Sequence, residues 1–183
     1  MDIINHTFTI QWVGPLTYEQ YRSYVKSPDT ISPDWFNFYY FQSRKDARYH
    51  WHRYFGVHFE ADGIDKRVNS DHEKIKNYKD DRDFSIWIGS LSNRKVQTPQ
   101  NVDTIETLFI RAYSDSLDLN KDKKKSLPGE SLGVINMWFD DKDNLKIYKR
   151  EKPQGIHDVI MYYGEEGGNY LYKGNLTRSK ITE

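Results

Sequence analysis

Six of the seven residues from 35 to 41 are aromatic: Trp35, Phe36, Phe38, Tyr39, Tyr40 and Phe41. Such a run is costly to leave in water. It packs best on a pleated surface, where large rings meet cross-strand neighbours. It therefore predicts a strand at 35–41 and a folded core to receive it. The wider composition agrees, because aromatics make up 15% of the 183 residues, and chains that stay disordered are poor in them. The length suffices for one domain with a core, or a core with an appendage.

Further elements follow from periodicity. Residues 54–59 predict a second strand, able to pair antiparallel with the first across the polar stretch 43–53. Phe84, Ile86 and Ile88 alternate with Ser85, Trp87 and Gly89, which predicts a third. Residues 8–13 read as a strand or extended arm, ended by Gly14-Pro15. Three helices are expected. The first spans 17–26, with Thr17 and Gln20 at capping-box spacing. The second spans 64–78, with Ile64, Val68 and Ile75 on one stripe. The third spans 102–115, with Val102, Ile105, Leu108, Phe109 and Ala112 as its apolar face. Beyond the charge run 121–125, two hairpins are expected, 134–139 with 145–148 and 159–163 with 170–173. The fold class expected is α+β: a small mixed or antiparallel three-stranded sheet flanked by helices, with a C-terminal β-hairpin extension. The chain divides into a lead-in (1–35), a core (36–120), a loop or linker (121–131) and a β-rich extension (132–183).

Composition also excludes whole classes of chemistry. There is no cysteine, hence no disulfide, thiolate metal site or cysteine nucleophile. The first residues, Met1-Asp2-Ile3-Ile4-Asn5-His6, do not read as a secretory leader, and no apolar stretch approaches a membrane span. A cytoplasmic location without membrane contact is the expectation. The 27 Lys and Arg balance 27 Asp and Glu. That balance counts against a strong non-specific nucleic-acid binder, which usually carries a basic excess, and leaves room for a local basic patch.

Polar residues fall where the core elements should converge: Tyr39 and Tyr54 on strands, Arg67 on one helix and Glu106 on another. Phosphodiester hydrolysis needs such parts. A carboxylate can hold a divalent ion, a guanidinium can stabilise charge on a phosphate, and a phenol can orient or deprotonate water. The ordered series Asn37-Phe38-Tyr39, Tyr54-Phe55-Gly56, Arg67, Glu106 and Leu119-Asn120 resembles the GIY-YIG endonuclease superfamily. In that family two strands carry the name-giving triplets, one helix carries the arginine, a later helix carries the metal-binding glutamate, and an asparagine often follows. Trp12-Val13-Gly14-Pro15 resembles a lead-in seen in some members. Asn37 stands where the family has glycine, and the connection from Tyr39 to Tyr54 is longer than usual. Many members have a histidine or tyrosine one helical turn after the arginine. Here that position is Asp71, and on an ideal helix His72 points about a quarter turn away.

The resemblance implies Glu106 as ligand to Mg²⁺ or Mn²⁺. It implies Tyr39, Tyr54, Arg67 and His72 as further catalytic residues, and Gly56 and Asn120 as phosphate or supporting residues. The partner it implies is nucleic acid, in the first place DNA. Two rival expectations stand beside it: a catalytically silent nucleic-acid- or protein-binding module on the same fold, and an unrelated α+β interaction protein. Each residue also has a plainer role. Glu106 stands at capping-box spacing from Asp103, Arg67 can cover a core with its stem, and tyrosines are common in strands. His50 and His52, spaced by two, and His58 read as solvated or stacked on aromatic rings rather than as zinc ligands.

Overall fold

The computed structural model describes residues 4, 6–27, 35–45, 48–60, 63–140, 142, 152–165 and 168–176. Its strands are β1 (His6–Leu16), β2 (Phe38–Ser43), β3 (His52–Val57), β4 (Ser85–Leu91), β5 (Leu132–Phe139), β6 (Val159–Tyr163) and β7 (Tyr170–Gly174). Its helices are α1 (Tyr18–Tyr24), α2 (Ile64–Arg67) and α3 (Pro99–Ala112). The strands form one curled, mixed sheet in the order β3-β2-β4-β1-β5-β6-β7. β1 and β5 run parallel, and every other pairing is antiparallel.

This overturns the expected small three-stranded sheet flanked by helices with a hairpin appended to it. The reason lies in β1. The arm at 8–13 is a central strand, paired with β4 on one side and β5 on the other. Phe8, Ile10 and Trp12 are buried together with Leu132, Val134 and Trp138. The Trp12 and Trp138 rings stack with centroids 5.7 Å apart, and Trp12 Nε1 donates to Asn136 Oδ1 at 2.9 Å. A parallel pairing has no tight turn to announce it, and these partners lie more than a hundred residues apart. The β6–β7 hairpin forms as expected. The expected strand at 145–148 lies outside the described residues.

Each face of the sheet carries its own core. On one, α3 covers Trp12, Phe38, Tyr40, Phe55 and Trp87. On the other, Tyr21 of α1 and Ile64, Val68 and Ile75 cover Val13, Tyr39, Phe41, Ile86 and Ile88. α1 starts with the expected capping box: Gln20 N donates to Thr17 Oγ1 at 3.2 Å, and Thr17 N to Gln20 Oε1 at 2.8 Å. α3 starts earlier than expected, with Thr98 as cap and Pro99 in the first turn. Glu106 therefore stands in mid-helix and belongs to no capping box.

The expected helix 64–78 breaks after one turn. Asn69 is the cause. Its Nδ2 donates to Lys66 O, and its Oδ1 accepts from Asp71 N at 2.9 Å, so the side chain satisfies the backbone outside a helix. Chain direction changes, and a short 3₁₀ turn follows at Ile75–Asn77. Ile64, Val68 and Ile75 are still buried, so the apolar stripe identified the buried residues but not the conformation that buries them.

β3 is an edge strand, and residues 118–120 close its open side. Arg53 N donates to Asp118 Oδ1 at 2.7 Å and Leu119 N donates to Arg53 O at 3.2 Å. The Asn120 side chain then mimics a peptide: its Oδ1 accepts from Phe55 N at 2.9 Å and its Nδ2 donates to Phe55 O at 2.7 Å. In register, Gly56 lies opposite Tyr39, whose phenol crosses directly over it. A Cβ at Gly56 would fall inside that phenol and within 2.7 Å of the Tyr54 ring. Gly56→Ala is expected to cost about 2–3 kcal/mol through overpacking. A thermal melt of Gly56→Ala combined with Tyr39→Ala should show a loss smaller than the sum of the two single losses.

Candidate functional site

Side-chain alternation along β3 sends neighbouring residues to opposite layers. Phe55 faces α3 and stacks on Phe109 with centroids 4.2 Å apart. Glu106 lies one turn before Phe109, which brings it to the β3 edge. Tyr54 faces the other layer, against Tyr39, with ring centroids 5.8 Å apart. Arg67, at the end of α2, comes to the same edge from that layer. Tyr54, Arg67, Glu106, Asn120, Lys121 and Lys123 line a cleft of about 430 Å³. A smaller hollow of about 290 Å³ shares Tyr54, Arg67, Glu73 and Lys74 and adds His72.

The break after α2 brings His72, expected to point away, under the phenols. His72 Nδ1 accepts from Lys74 N and Ile75 N, both at 3.2 Å. That atom therefore carries its lone pair, and the proton of the neutral ring sits on Nε2. Nε2–H donates to Tyr39 Oη at 2.9 Å. Burial first, and the charge of Arg67 second, push the His72 pKa down to about 4. The ring is thus neutral near pH 7, with both nitrogens committed.

Burial also raises the Tyr39 phenol well above its usual value, and the neighbouring Tyr54 adds to this, while Arg67 opposes it. Tyr39 is consequently a protonated, fixed hydrogen-bonding group and not a base. The Arg67 guanidinium is held in its charged form chiefly by Tyr39, with smaller contributions from Tyr54 and Glu106. Tyr54 is the phenol that lines both hollows.

Glu106 is largely shielded, with 16% of its side chain exposed, and Oε2 accepts from Lys123 Nζ at 2.7 Å. Lys123 also pairs with Asp103, one turn earlier on α3. Lys123 has a left-handed backbone, with φ of 60°. Ties from its loop to α3 and the turn after it hold it: Arg111 Nη1 donates to Lys124 O at 3.1 Å and Lys124 Nζ to Ser114 O at 2.9 Å. The run 121–125, which reads from the sequence as a solvated loop, thus supplies two lysines to the cleft. No spacing rule announces that contact.

Asn120 supports β3 through its backbone and Gly56 seats Tyr39, so both act on the architecture of the site. Asn37 has no left-handed backbone; its Nδ2 donates to His58 O at 3.2 Å. His52 pairs with Asp118 at 2.8 Å and lies 4.9 Å from the Tyr78 ring. Among the described residues no three His, Asp or Glu side chains cluster as a metal cage. No helix among them is long and apolar enough to cross a membrane. Comparison with known protein families, with curated proteins and with solved structures finds no match for this chain.

The His72 geometry has a pH consequence. Between its ordinary value of 6.5 and its folded value of about 4, the unfolded chain takes up a proton that the folded chain refuses. The stability His72 contributes is full above pH 6.5 and is lost as pH falls toward 4. Denaturant melts of the wild type and His72→Gln should therefore converge over that window. The expected convergence is on the order of 1–2 kcal/mol, allowing for solvent screening.

Proposed function

We propose that this protein is a metal-dependent phosphodiester hydrolase acting on nucleic acid, a divergent relative of the GIY-YIG endonucleases. The observation that carries the reading is the meeting of Tyr54, Arg67 and Glu106 in one cleft. They come from a strand and from two helices on opposite faces of the sheet. Arg67 is placed to bind a phosphate and to neutralise charge developing on it. Tyr54 is placed to orient the attacking water. Tyr39 and His72 fix the phenol layer behind it by hydrogen bonding and hold no exchangeable proton of suitable pKa.

The donor set fits a weakly held Mg²⁺ or Mn²⁺. Glu106 would be its principal protein ligand with Asp103 nearby, and water and phosphate oxygens would complete the shell, as Mg²⁺ commonly prefers. When bound, such an ion supplies charge neutralisation at the phosphate and acidifies water. Lys123 occupies the carboxylate that would hold the ion, so lysine and metal compete for Glu106.

Glu106→Ala should reduce Mg²⁺-dependent cleavage of a mixed DNA and RNA substrate panel at least about a hundredfold with an unchanged melt, and Arg67→Ala by a comparable factor. Undiminished cleavage by Glu106→Ala would sink the reading.

The Lys123–Glu106 pair favours a second reading, a catalytically silent binding module whose carboxylate is permanently neutralised from within. Mn²⁺ titration followed by electron paramagnetic resonance separates the two. Under the hydrolase reading Lys123→Met binds Mn²⁺ at least about fivefold more tightly than wild type, an effect lost when Glu106→Ala is added. Under the silent reading none of these proteins binds the ion.

A further inference from the structure

The connection between β2 and β3 is where this chain carries its densest basic and aromatic sequence. Residues 44–53 read Arg-Lys-Asp-Ala-Arg-Tyr-His-Trp-His-Arg. Four Lys or Arg stand against one Asp, a formal charge of +3 in a chain whose total is zero. The described residues of this segment are organised around aromatic rings. The Arg44 guanidinium lies 4.5 Å from the centre of the Trp51 ring, and that of Arg53 lies 5.8 Å away on the next strand position but one. Arg44 is fixed from behind by Asp83, Nε to Oδ2 at 2.9 Å. Tyr49 stands out from the surface with 53% of its area exposed. Lys45, Arg48 and His50 are exposed beside it. The base of the segment is rigid, because His52 is held by Asp118 and Tyr78.

Arg53 extends the surface toward α3. With Tyr113, Lys173 and Gln154 it lines a hollow of about 390 Å³. The Tyr40 phenol lies beside this guanidinium and anchors it to the core.

From these observations we infer that the β2–β3 tip is a binding surface for single-stranded or unpaired nucleic acid. Cations alternating with planar side chains match a polymer that alternates phosphates with bases, and bases stack on aromatic and guanidinium planes without regard to sequence. An anionic lipid surface would use the charge and seat exposed rings at its interface, but it would not call for rings and cations in alternation. The position also fits. Trp51 is three residues from Tyr54 along the chain, about 10 Å of strand, or about three phosphate spacings of a stacked strand. A strand held at the tip would thus reach the cleft by passing over residues 118–120, which cover the β3 edge. The inference rests on the nucleic-acid partner of the proposed function, though not on its chemistry.

The test is fluorescence anisotropy on the full chain with EDTA present, which removes any cleavage. The probes are a labelled 20-nucleotide single strand of mixed sequence, the same sequence as a duplex, and phosphatidylserine-containing vesicles with a fluorescent lipid. The wild type is expected to prefer the single strand. Tyr49→Ala, an exposed position with little bearing on the fold, should weaken that binding at least about fivefold. Trp51→Ala should weaken it further. Lys45→Glu should flatten the slope of log affinity against log salt by about one. Should Trp51→Ala fail to fold, Tyr49→Ala and Lys45→Glu still decide the matter. Equal affinity for strand and duplex with Tyr49→Ala unaffected, or binding to vesicles and not to oligonucleotides, overturns the inference. Single-strand binding without cleavage under any metal upholds it while removing the hydrolase reading.

Discussion

Strand β3 lies at the edge of the sheet, and the site exists because both of its sides are held. Its outer backbone would otherwise be unpaired, and an unpaired edge strand invites fraying or pairing with another chain. Asn120 prevents this at the one residue that matters, taking both backbone groups of Phe55 with a single amide. Phe55 in turn stacks on Phe109 and fixes α3, and with it Glu106. The residues on either side of Phe55 then face the opposite layer, where Tyr54 and the Tyr39 phenol over Gly56 form the other wall. One clamped residue thereby sets the distance between parts contributed by two separate cores.

The opposite wall depends on a helix that ends early. A continuous helix through 64–78 would have directed His72 away from Tyr39. The Asn69 side chain stops the helix after one turn, and the chain folds back so that His72 lies beneath the phenols. The two backbone donors on Nδ1 then select the tautomer. A local competition between side chain and backbone, worth about one hydrogen bond in isolation, decides the protonation pattern of the whole cluster. It also removes Tyr39 and His72 as bases and leaves Tyr54 as the phenol facing the open cleft.

Much of this was legible in the sequence where the information is local. The aromatic strand expected at 35–41 forms with its bounds shifted to Phe38–Ser43, and the capping box at Thr17, the apolar face of α3 and the β6–β7 hairpin also follow from periodicity and turn chemistry. So does the burial of Ile64, Val68 and Ile75. What escaped was non-local or competitive. The parallel pairing of β1 with β5 leaves no turn between the partners, so Phe8, Ile10 and Trp12 read as an arm and the C-terminal strands as an extension. The helix break at Asn69 opposes an apolar stripe that remains valid for burial. Lys123 reached Glu106 from a loop whose composition resembles any solvated charge run.

That lysine defines the remaining physical question of the site, which is what neutralises Glu106. A lysine backbone in the left-handed region costs about 1 kcal/mol relative to ordinary conformations. The loop bears this cost in exchange for an ion pair with a carboxylate that is mostly withdrawn from water. Its ammonium is single-charged and sits on a flexible stem. A divalent cation brings twice the charge, and phosphate oxygens of a bound substrate would share its coordination. Under the proposed function, displacing the Lys123 ammonium would leave it beside the incoming phosphate, where its charge remains useful. On that proposed function, exchanging lysine for metal is consequently far less unfavourable than stripping this shielded carboxylate of its bonded counter-charge, and substrate phosphate would tip the exchange.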